Sequence, residues 1–241
     1  MIRLSVNVNK AATLRNARGG NVPDVVRVAE TCVDAGCHGI TVHPRPDERH
    51  IRRSDVVALA GVLTVELNVE GYPSPGLLAL VAQVRPAQCT LVPDPPDVLT
   101  SNAGWDLRGD VGVPRAALAE LARLGIRSSL FLEPDVDAVR RARDLGADRG
   151  ELYTESYART YGGPDGERTF ERFRQAAEAA LDVGLGMNAG HDLDLRNLPH
   201  FAAHIPGLLE VSIGHALISD ALFMGLRAAV HAYLMALGHR V

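Results

Sequence analysis

Short apolar runs recur along the 241-residue chain and alternate with longer stretches of helical periodicity. The runs are rich in β-branched residues and lack a strict alternation of apolar and polar positions. This pattern is typical of parallel strands that are buried on both faces. It predicts eight strands, at 2–8, 39–43, 64–69, 88–92, 127–132, 149–153, 184–188 and 208–213.

The stretches between the runs place apolar residues three and four positions apart, which predicts amphipathic helices. Pro23 stands at a plausible first helical position, and Ser54 and Ser74 are candidate N-caps. Gly125 and Gly184 follow the ends of two further stretches, where glycine commonly ends a helix. The predicted helices span 23–35, 54–62, 74–84, 114–124, 136–145, 169–183, 197–205 and 216–238.

Eight strand–helix units in one chain of this length predict a (β/α)8 barrel, a closed parallel sheet with outer helices, as a single domain over 1–241. A doubly wound open sheet is the alternative. No glycine-rich dinucleotide fingerprint follows the first strand, which counts against that alternative. Three long connections, at 9–21, 93–109 and 154–168, each follow a strand, so we expect them on the C-terminal face, where barrel active sites lie.

Composition excludes several classes of protein. The net charge is −4 without an acidic or basic block, which argues against a nucleic-acid-binding or membrane-surface protein. No apolar run approaches the roughly 18 residues that span a bilayer, and the first residues read as a strand rather than a signal peptide. The three cysteines, Cys32, Cys37 and Cys89, lie in apolar stretches, which indicates free buried thiols in a reducing cytoplasm.

Polar residues at or just after the predicted strand ends form a candidate site. Histidines and carboxylates that converge on one face provide groups for proton transfer. The other histidines lie in a turn or on helices and are interpreted as surface or packing residues, and no pair has zinc-site spacing, so we expect no metal. The candidates are Asn7, His43, Glu70, Thr100, Glu151, His191 and His215.

Anion binding is the second predicted property. Glycines in 188–191 and 213–216 follow the last two strands, the second of them opening a helix, which is the usual phosphate position in a barrel. Arg18 and Arg45 lie on the first two loops and are cationic candidates. Two anion sites at opposite ends of one face would suit two phosphorylated substrates or one bisphosphate.

Six segments together are specific to one known family. They are NVNKAATLRNARGG at 7–20, TVHPRPDERHI at 41–51, LNVEGYP at 67–73, LVPDPPDVLTSNAGWDL at 91–107, NAGHDL at 188–193 and SIGHALI at 212–218. In this order, and over essentially the whole chain, the sequence resembles the pyridoxine 5′-phosphate synthases.

The resemblance implies a (β/α)8 barrel that condenses 3-amino-2-oxopropyl phosphate with 1-deoxy-D-xylulose 5-phosphate. The products are pyridoxine 5′-phosphate, phosphate and water, in the ring-forming step of vitamin B6 biosynthesis. It further implies no organic cofactor, no metal and a homo-octamer. Such chemistry needs several acid/base groups and exclusion of bulk water, for which the 93–109 loop is a candidate lid.

Residue roles carry over by position. His43 and Glu70 resemble the family's proton acceptors, and His191 resembles its proton donor. Glu151 matches a supporting carboxylate, and Arg18 matches a substrate-contacting arginine.

Further positions resemble the family's substrate ligands. Those for the amino-ketone phosphate are Asn7, Gly214 and His215, and those for the sugar phosphate are Arg45, His50 and Thr100. Two places depart from the best-known form of the motifs: Asn9-Lys10 replaces Asp-His, and Asp192 replaces a glycine. All three residues are therefore candidate substrate ligands with altered chemistry.

Two other functions remain open from the residues alone. Lys10 is the only lysine in the sequence, and it could serve as the nucleophile of a Schiff-base phosphosugar aldolase on the same fold. A barrel that only binds phosphorylated metabolites is the non-catalytic alternative. The joint presence of His43, Glu70 and His191 argues against it, because binding alone needs no such set.

Overall fold

The strands pair in chain order, and the last pairs with the first, which closes the sheet into a parallel barrel. The computed structural model describes residues 1–94 and 103–241. The predicted (β/α)8 barrel is confirmed, and the open sheet is excluded because β8 pairs with β1. The strands are β1 (Arg3–Asn7), β2 (Gly39–Val42), β3 (Glu66–Gly71), β4 (Gln88–Leu91), β5 (Arg127–Leu132), β6 (Arg149–Tyr153), β7 (Gly186–Gly190) and β8 (Leu208–Ile213).

Helices surround the barrel and pack on its outer surface through one buried apolar cluster. Leu4 and Leu130 from the strands belong to this cluster, as do Leu121 and Phe173 from the helices. The helices of the described part are α1 (Asn9–Asn16), α2 (Val25–Asp34), α3 (Arg53–Val62), α4 (Pro75–Val84), α5 (Gly112–Leu124), α6 (Val136–Asp144), α7 (Glu155–Thr160), α8 (Gly166–Val183), α9 (Leu198–His204), α10 (His215–Met224) and α11 (Leu226–Ala236).

The inside of the barrel is polar. In β1, Leu4 and Val6 belong to the outer apolar cluster, whereas the Ser5 hydroxyl lies 2.7 Å from the hydroxyl of Thr41 in β2. The expectation of strands without strict alternation was therefore wrong for β1. Its apolar residues face the helices, and its polar residues face the interior, following the two-residue period of a strand.

Hydrogen bonds extend across this interior. Asn68 Nδ2 donates to Thr41 Oγ1 at 3.4 Å, and the Thr90 hydroxyl lies 3.1 Å from Asn68 Oδ1 and 3.4 Å from Glu151 Oε2. Thr90 is in β4 and Glu151 is in β6, so this last contact joins strands that are not neighbours in the sheet. These four buried side chains are thus hydrogen-bonded to one another, whereas Gln88 Nε2 and Ser129 Oγ are buried without a partner among the described residues.

Helix ends agree with the prediction at some places and differ at others. Ser74 Oγ accepts the backbone N–H of Leu77 at 3.2 Å and caps α4, and Gly125 ends α5 at a φ of 70°. Ser54 is not a cap, because α3 already begins at Arg53. The helix predicted from Pro23 begins instead at Val25. Asp24 is its N-cap, and the Asp24 carboxylate accepts hydrogen bonds from backbone N–H groups of the first turn.

Two of the long connections contain helices that the apolar pattern did not predict. Helix α1 lies within 9–21 and α7 lies within 154–168. The sequence of α1 is NKAATLRN, in which alanines supply most of the buried face, so the helical periodicity is weak. The predicted helix 216–238 is also divided, because Gly225 adopts a φ of 84° between α10 and α11.

Arg15 holds α1 against α3 and against the loop after β2 that contains His50. Its side chain is fully buried, and its Nη1 donates to Asp55 Oδ1 at 2.6 Å. Its Nη2 donates to the backbone oxygen of His50 at 2.9 Å. A buried guanidinium needs such partners, and here they hold the His50 segment in place.

All three cysteines are free and buried, which confirms the prediction of buried thiols. Among residues 1–94 and 103–241, no helix is long and apolar enough to cross a bilayer. The same residues contain no cluster of three or more histidine, cysteine or acidic side chains arranged to hold a metal ion.

Two glutamates inside the barrel have opposite pKa shifts. Burial and the neighbouring Glu210 raise the pKa of Glu151 to about 8, although the hydrogen bond from Thr90 lowers it in part. Burial also acts to raise the pKa of Glu66. The hydrogen bonds and charges of Arg127 and Arg3 outweigh that effect and lower the Glu66 pKa to about 2.

Glu151→Gln should change how stability depends on pH. The pKa of about 8 means that the Glu151 carboxyl keeps its proton until about pH 8 in the native protein, whereas in the unfolded chain it loses the proton near its ordinary pKa of 4.5. This group therefore stabilises the fold fully below the unfolded pKa, and the contribution is lost as the pH rises through the folded pKa. We expect the Tm of Glu151→Gln to rise relative to wild type between pH 5 and pH 9 in thermal unfolding followed by circular dichroism.

Glu66→Gln is the matched control. The lowered pKa keeps Glu66 ionised in the folded state across that range, and its ordinary pKa of 4.5 leaves it largely ionised in the unfolded chain as well. Its Tm difference from wild type should stay constant between pH 5 and pH 9. A constant difference for Glu151→Gln as well would contradict the assignment.

Candidate active site

A cavity of about 420 Å³ opens at the carboxyl ends of the strands. Loops after β1, β2, β7 and β8 form its rim, as the barrel prediction required. Twelve of the fourteen candidate residues line it, namely Asn7, Asn9, Lys10, His43, Arg45, His50, Glu70, Glu151, His191, Asp192, Gly214 and His215.

The two remaining candidates do not join this group. Arg18 is exposed beyond the end of α1 and is not part of the cavity wall. Thr100 lies outside the described residues, as does 95–102 of the proposed 93–109 lid.

Sequence reasoning missed several residues of the cavity wall. Thr13 and Arg49 lie on the rim, and Phe131 and Ser212 come from β5 and β8. The inward positions of β5 and β8 follow from two-residue periodicity once the sheet is closed, so that periodicity would have indicated Phe131 and Ser212. No such signal existed for Thr13, because α1 itself was not predicted.

A chain of amides connects Glu70 to His43. Asn7 Nδ2 donates to Glu70 Oε2 at 3.4 Å, and Asn7 Oδ1 accepts the backbone N–H of Asn9 at 3.0 Å. Asn9 Oδ1 then accepts the backbone N–H of His43 at 2.9 Å. The ends of β1, β2 and β3 are thereby held in one fixed arrangement.

His43 is a neutral imidazole at physiological pH. The residue is 7% exposed, and burial, together with the charges of Arg45, His50 and Arg49, lowers its pKa to about 3. A neutral imidazole has a free nitrogen lone pair that can accept a proton.

Cationic residues beside His43 form the first anion-binding region. Burial lowers the pKa of His50 to about 4, and Arg45, Lys10 and Arg49 add to the effect. Arg45 Nη2 donates to Asp94 Oδ2 at 3.0 Å, with both side chains buried. Three basic side chains and a neutral histidine therefore meet at one part of the cavity, which is an arrangement suited to a phosphate.

Glu70 shares its part of the cavity with other carboxyl groups. Burial raises its pKa well above the ordinary value, and Glu151 and Asp94 raise it further. Gly190 leaves room for Glu151, because a Cβ at this glycine would lie 2.4 Å from Glu151 Oε1. Glu151 can thus hold a proton near neutral pH, and Glu70 keeps its proton to a higher pH than an exposed glutamate does.

The second anion-binding region lies at the start of α10. Gly214 precedes the first helical residue, His215, and both line the cavity. A Cβ at Gly214 would lie 3.0 Å from Asn7 Cβ and 3.1 Å from the Asn7 backbone oxygen, so a side chain here would push against Asn7. The N–H groups of the first helical turn favour an anion here.

The two anion-binding regions are not at opposite ends of the face, as the sequence analysis expected. The first follows β1 and β2, and the second follows β8. Barrel closure makes β8 the neighbour of β1, so the regions are adjacent around the rim. Two phosphorylated molecules bound there would have their reactive parts close together.

His191 lies across the mouth from Glu70, because β7 and β3 are four strands apart in the eight-stranded ring. Its Nδ1 is 2.7 Å from Asp192 Oδ2, and its ring meets the Tyr153 ring edge-on at 5.0 Å. A ligand between them would contact a carboxyl group on one side and an imidazole on the other.

Two solved structures with the same fold share little sequence with this chain. A 3-hexulose-6-phosphate synthase aligns with a TM-score of 0.67 at 12% identity, covering 98% of this chain and all of that one. A tryptophan synthase α subunit of Legionella pneumophila aligns with a TM-score of 0.64 at 14% identity, over 98% and 93% of the two chains. These likenesses establish the fold alone.

Sequence relatives are far closer. The family profile described as "Pyridoxal phosphate biosynthesis protein PdxJ" matches residues 4–239. A Phocaeicola vulgatus protein named pyridoxine 5′-phosphate synthase is 55% identical over 97% of this chain and 98% of its own length. A Porphyromonas gingivalis protein of the same name is 54% identical with the same coverage. This chain therefore belongs to the PdxJ family of pyridoxal phosphate biosynthesis proteins.

Proposed function

We propose that this chain is a pyridoxine 5′-phosphate synthase, a transferase that condenses 3-amino-2-oxopropyl phosphate with 1-deoxy-D-xylulose 5-phosphate. The products are pyridoxine 5′-phosphate, inorganic phosphate and water, in vitamin B6 biosynthesis. The observation that carries the proposal is that His43, Glu70 and His191 line one cavity. They do so in a chain that is 55% identical, over 97% of its own length, to a protein named pyridoxine 5′-phosphate synthase.

In this proposal His43 and Glu70 accept protons and His191 donates one. A pKa of about 3 leaves His43 neutral with a free nitrogen lone pair, although the same shift makes it a weaker base than an exposed imidazole. The raised pKa of Glu70 makes its ionised form a stronger base than an exposed glutamate. Ring closure requires that protons be removed from the intermediate and that oxygen leave as water. Proton acceptors on one side of the cavity and a proton donor on the other are suited to these two steps.

The amino-ketone phosphate is assigned to the α10 side of the cavity. Asn7, Gly214 and His215 would hold it, with the first helical turn of α10 facing its phosphate. Asp192 lies on the same side. Arg18 is a substrate contact by resemblance alone, since its side chain is exposed outside the cavity.

The sugar phosphate is assigned to the side with the basic residues. Lys10, Arg45 and His50 would hold its phosphate, since their charges or donors meet there. Asn9 is placed to contact its hydroxyl groups. Thr100 belongs to this group by resemblance.

We further propose a homo-octamer that acts in the cytoplasm. The resemblance supplies the number of subunits, and the surface offers apolar side chains for self-association. At the end of α10, Leu222 is 73% exposed and Phe223 is 92% exposed. Sedimentation velocity at micromolar concentration should give an octamer, and a stable monomer would contradict this proposal.

Glu70→Gln should fold normally and lose most turnover, because it preserves the shape but removes the base. We expect kcat to fall by roughly 10²–10⁴-fold, with pyridoxine 5′-phosphate measured by mass spectrometry after mixing both substrates. Glu155→Gln, which changes an exposed glutamate of α7, is the control and should retain wild-type turnover. Absence of product from the wild-type protein would refute the function, and full turnover by Glu70→Gln would make this residue structural.

Lys10 should act as a charged ligand and not as a nucleophile, because the amine of the substrate itself can form the imine. Borohydride added with either ketone substrate should leave the mass of the protein unchanged. Lys10→Met should raise KM for the sugar phosphate more than Lys10→Arg does, since only arginine keeps the charge. A reduced adduct on Lys10 would instead identify the Schiff-base aldolase.

A further inference from the structure

His191 and Asp192 adopt an uncommon backbone conformation directly after β7. Their φ angles are 79° and 59°, in the left-handed region that residues with a side chain rarely occupy. The Thr154 hydroxyl donates to the backbone oxygen of Gly190 at 2.7 Å and also contacts that of His191. Asn197 Nδ2 donates to the backbone oxygen of Asp192 at 3.2 Å. Contacts on both sides therefore maintain this conformation.

This backbone brings the two neighbouring side chains into direct contact. His191 Nδ1 and Asp192 Oδ2 are 2.7 Å apart, which is the length of a charge-assisted hydrogen bond. Adjacent residues of a regular strand would point to opposite faces, so the pairing depends on the two positive φ angles. The Tyr153 ring packs edge-on against the imidazole at 5.0 Å and limits its rotation.

The hydrogen bond assigns different roles to the two ring nitrogens. With Nδ1 donating to the carboxylate, Nε2 is the nitrogen that remains for a ligand, and His191 lines the cavity. The hydrogen bond and charge of His191 lower the pKa of Asp192, and His215 adds to this effect, so the carboxylate is ionised at neutral pH.

The hydrogen bond to His191 also explains how a negatively charged Asp192 can lie beside an anion-binding region. Its carboxylate lies at the edge of the cavity where Gly214 and His215 offer an anion-binding region. A lone negative charge there would repel a phosphate. The hydrogen bond from His191 offsets the negative charge of Asp192 and so reduces its repulsion of a phosphate bound at this wall of the cavity.

We propose that Asp192 is a positioning residue for His191, orienting its imidazole and fixing Nδ1 as the donor of their shared hydrogen bond. This inference rests on the proposed function. In the proton transfer, Nε2 of the imidazolium gives its proton to the departing oxygen, which leaves as water. Nδ1 keeps its proton, Asp192 remains ionised, and Nε2 regains a proton from solvent before the next turnover.

A double-mutant cycle tests whether Asp192 acts through His191. Asp192→Asn should lower kcat by about 10–10³-fold and change KM for the amino-ketone phosphate by less than about threefold. In a His191→Asn background the same substitution should lower kcat less than about twofold further, because the group it positions is absent. Asparagine tolerates the positive φ, and Asp192→Gly serves as a second variant that tolerates it fully.

Asp194→Asn is the matched control. It removes a carboxylate of the same loop but keeps an oxygen able to accept the N–H groups of Arg196 and Asn197. Its kcat should stay within about twofold of wild type. An independent loss from Asp192→Asn in both backgrounds, or a raised KM with unchanged kcat, would overturn the proposal and make Asp192 a substrate ligand.

A second readout does not depend on turnover. Solid-state NMR of protein labelled with ¹⁵N at histidine, at a pH where the imidazole is neutral, should show His191 protonated at Nδ1, with the signal assigned by its loss in His191→Asn. Asp192→Asn should shift that signal toward the form protonated at Nε2. An unchanged spectrum would refute the pairing, whereas an inactive wild-type protein with the expected shift would refute the synthase function alone.

Discussion

The closed parallel sheet of this protein encloses polar side chains, which need hydrogen-bond partners because outer helices and solvent do not supply them. Every second strand residue points into a space that the outer helices cannot reach. Here Ser5, Thr41, Asn68 and Thr90 occupy such positions and bond to one another along four neighbouring strands. The outer apolar cluster supplies the hydrophobic burial that stabilises the fold. The hydrogen bonds inside the barrel form only when neighbouring strands pair in the observed register, so they favour that register over others.

The same interior continues into the cavity and determines its acid/base properties. Glu151 lies where the inner network meets the cavity wall, and Glu70 stands above it at the end of β3. Their pKa values rise because both carboxyls are buried and both have like charges nearby. His43 is buried too, and the same loss of solvation acts on it in the opposite direction, so burial favours the neutral form of all three groups.

The repeated strand–helix pattern was sufficient to predict the barrel, and most of the candidate site followed from residues at strand ends. Sequence could not show that Arg15 is buried, because α1 has too few apolar residues to reveal a helix. It could not show that the regions at Lys10 and Gly214 are adjacent, since that depends on pairing between the first and last strands. The bond between His191 and Asp192 depends on two φ angles that no apolar pattern encodes.

The attachment of α1 by Arg15 makes an outer helix part of the cavity rim. The guanidinium connects Asp55 of α3 to the backbone of His50, and Arg52 Nη2 joins the same group through Asn16 Oδ1 at 3.1 Å. These bonds lie within the protein itself, so the ordering entropy of this part of the rim is lost during folding and not during ligand capture. Sequence changes on α3, a surface helix without a residue in the cavity wall, would consequently be transmitted to substrate affinity.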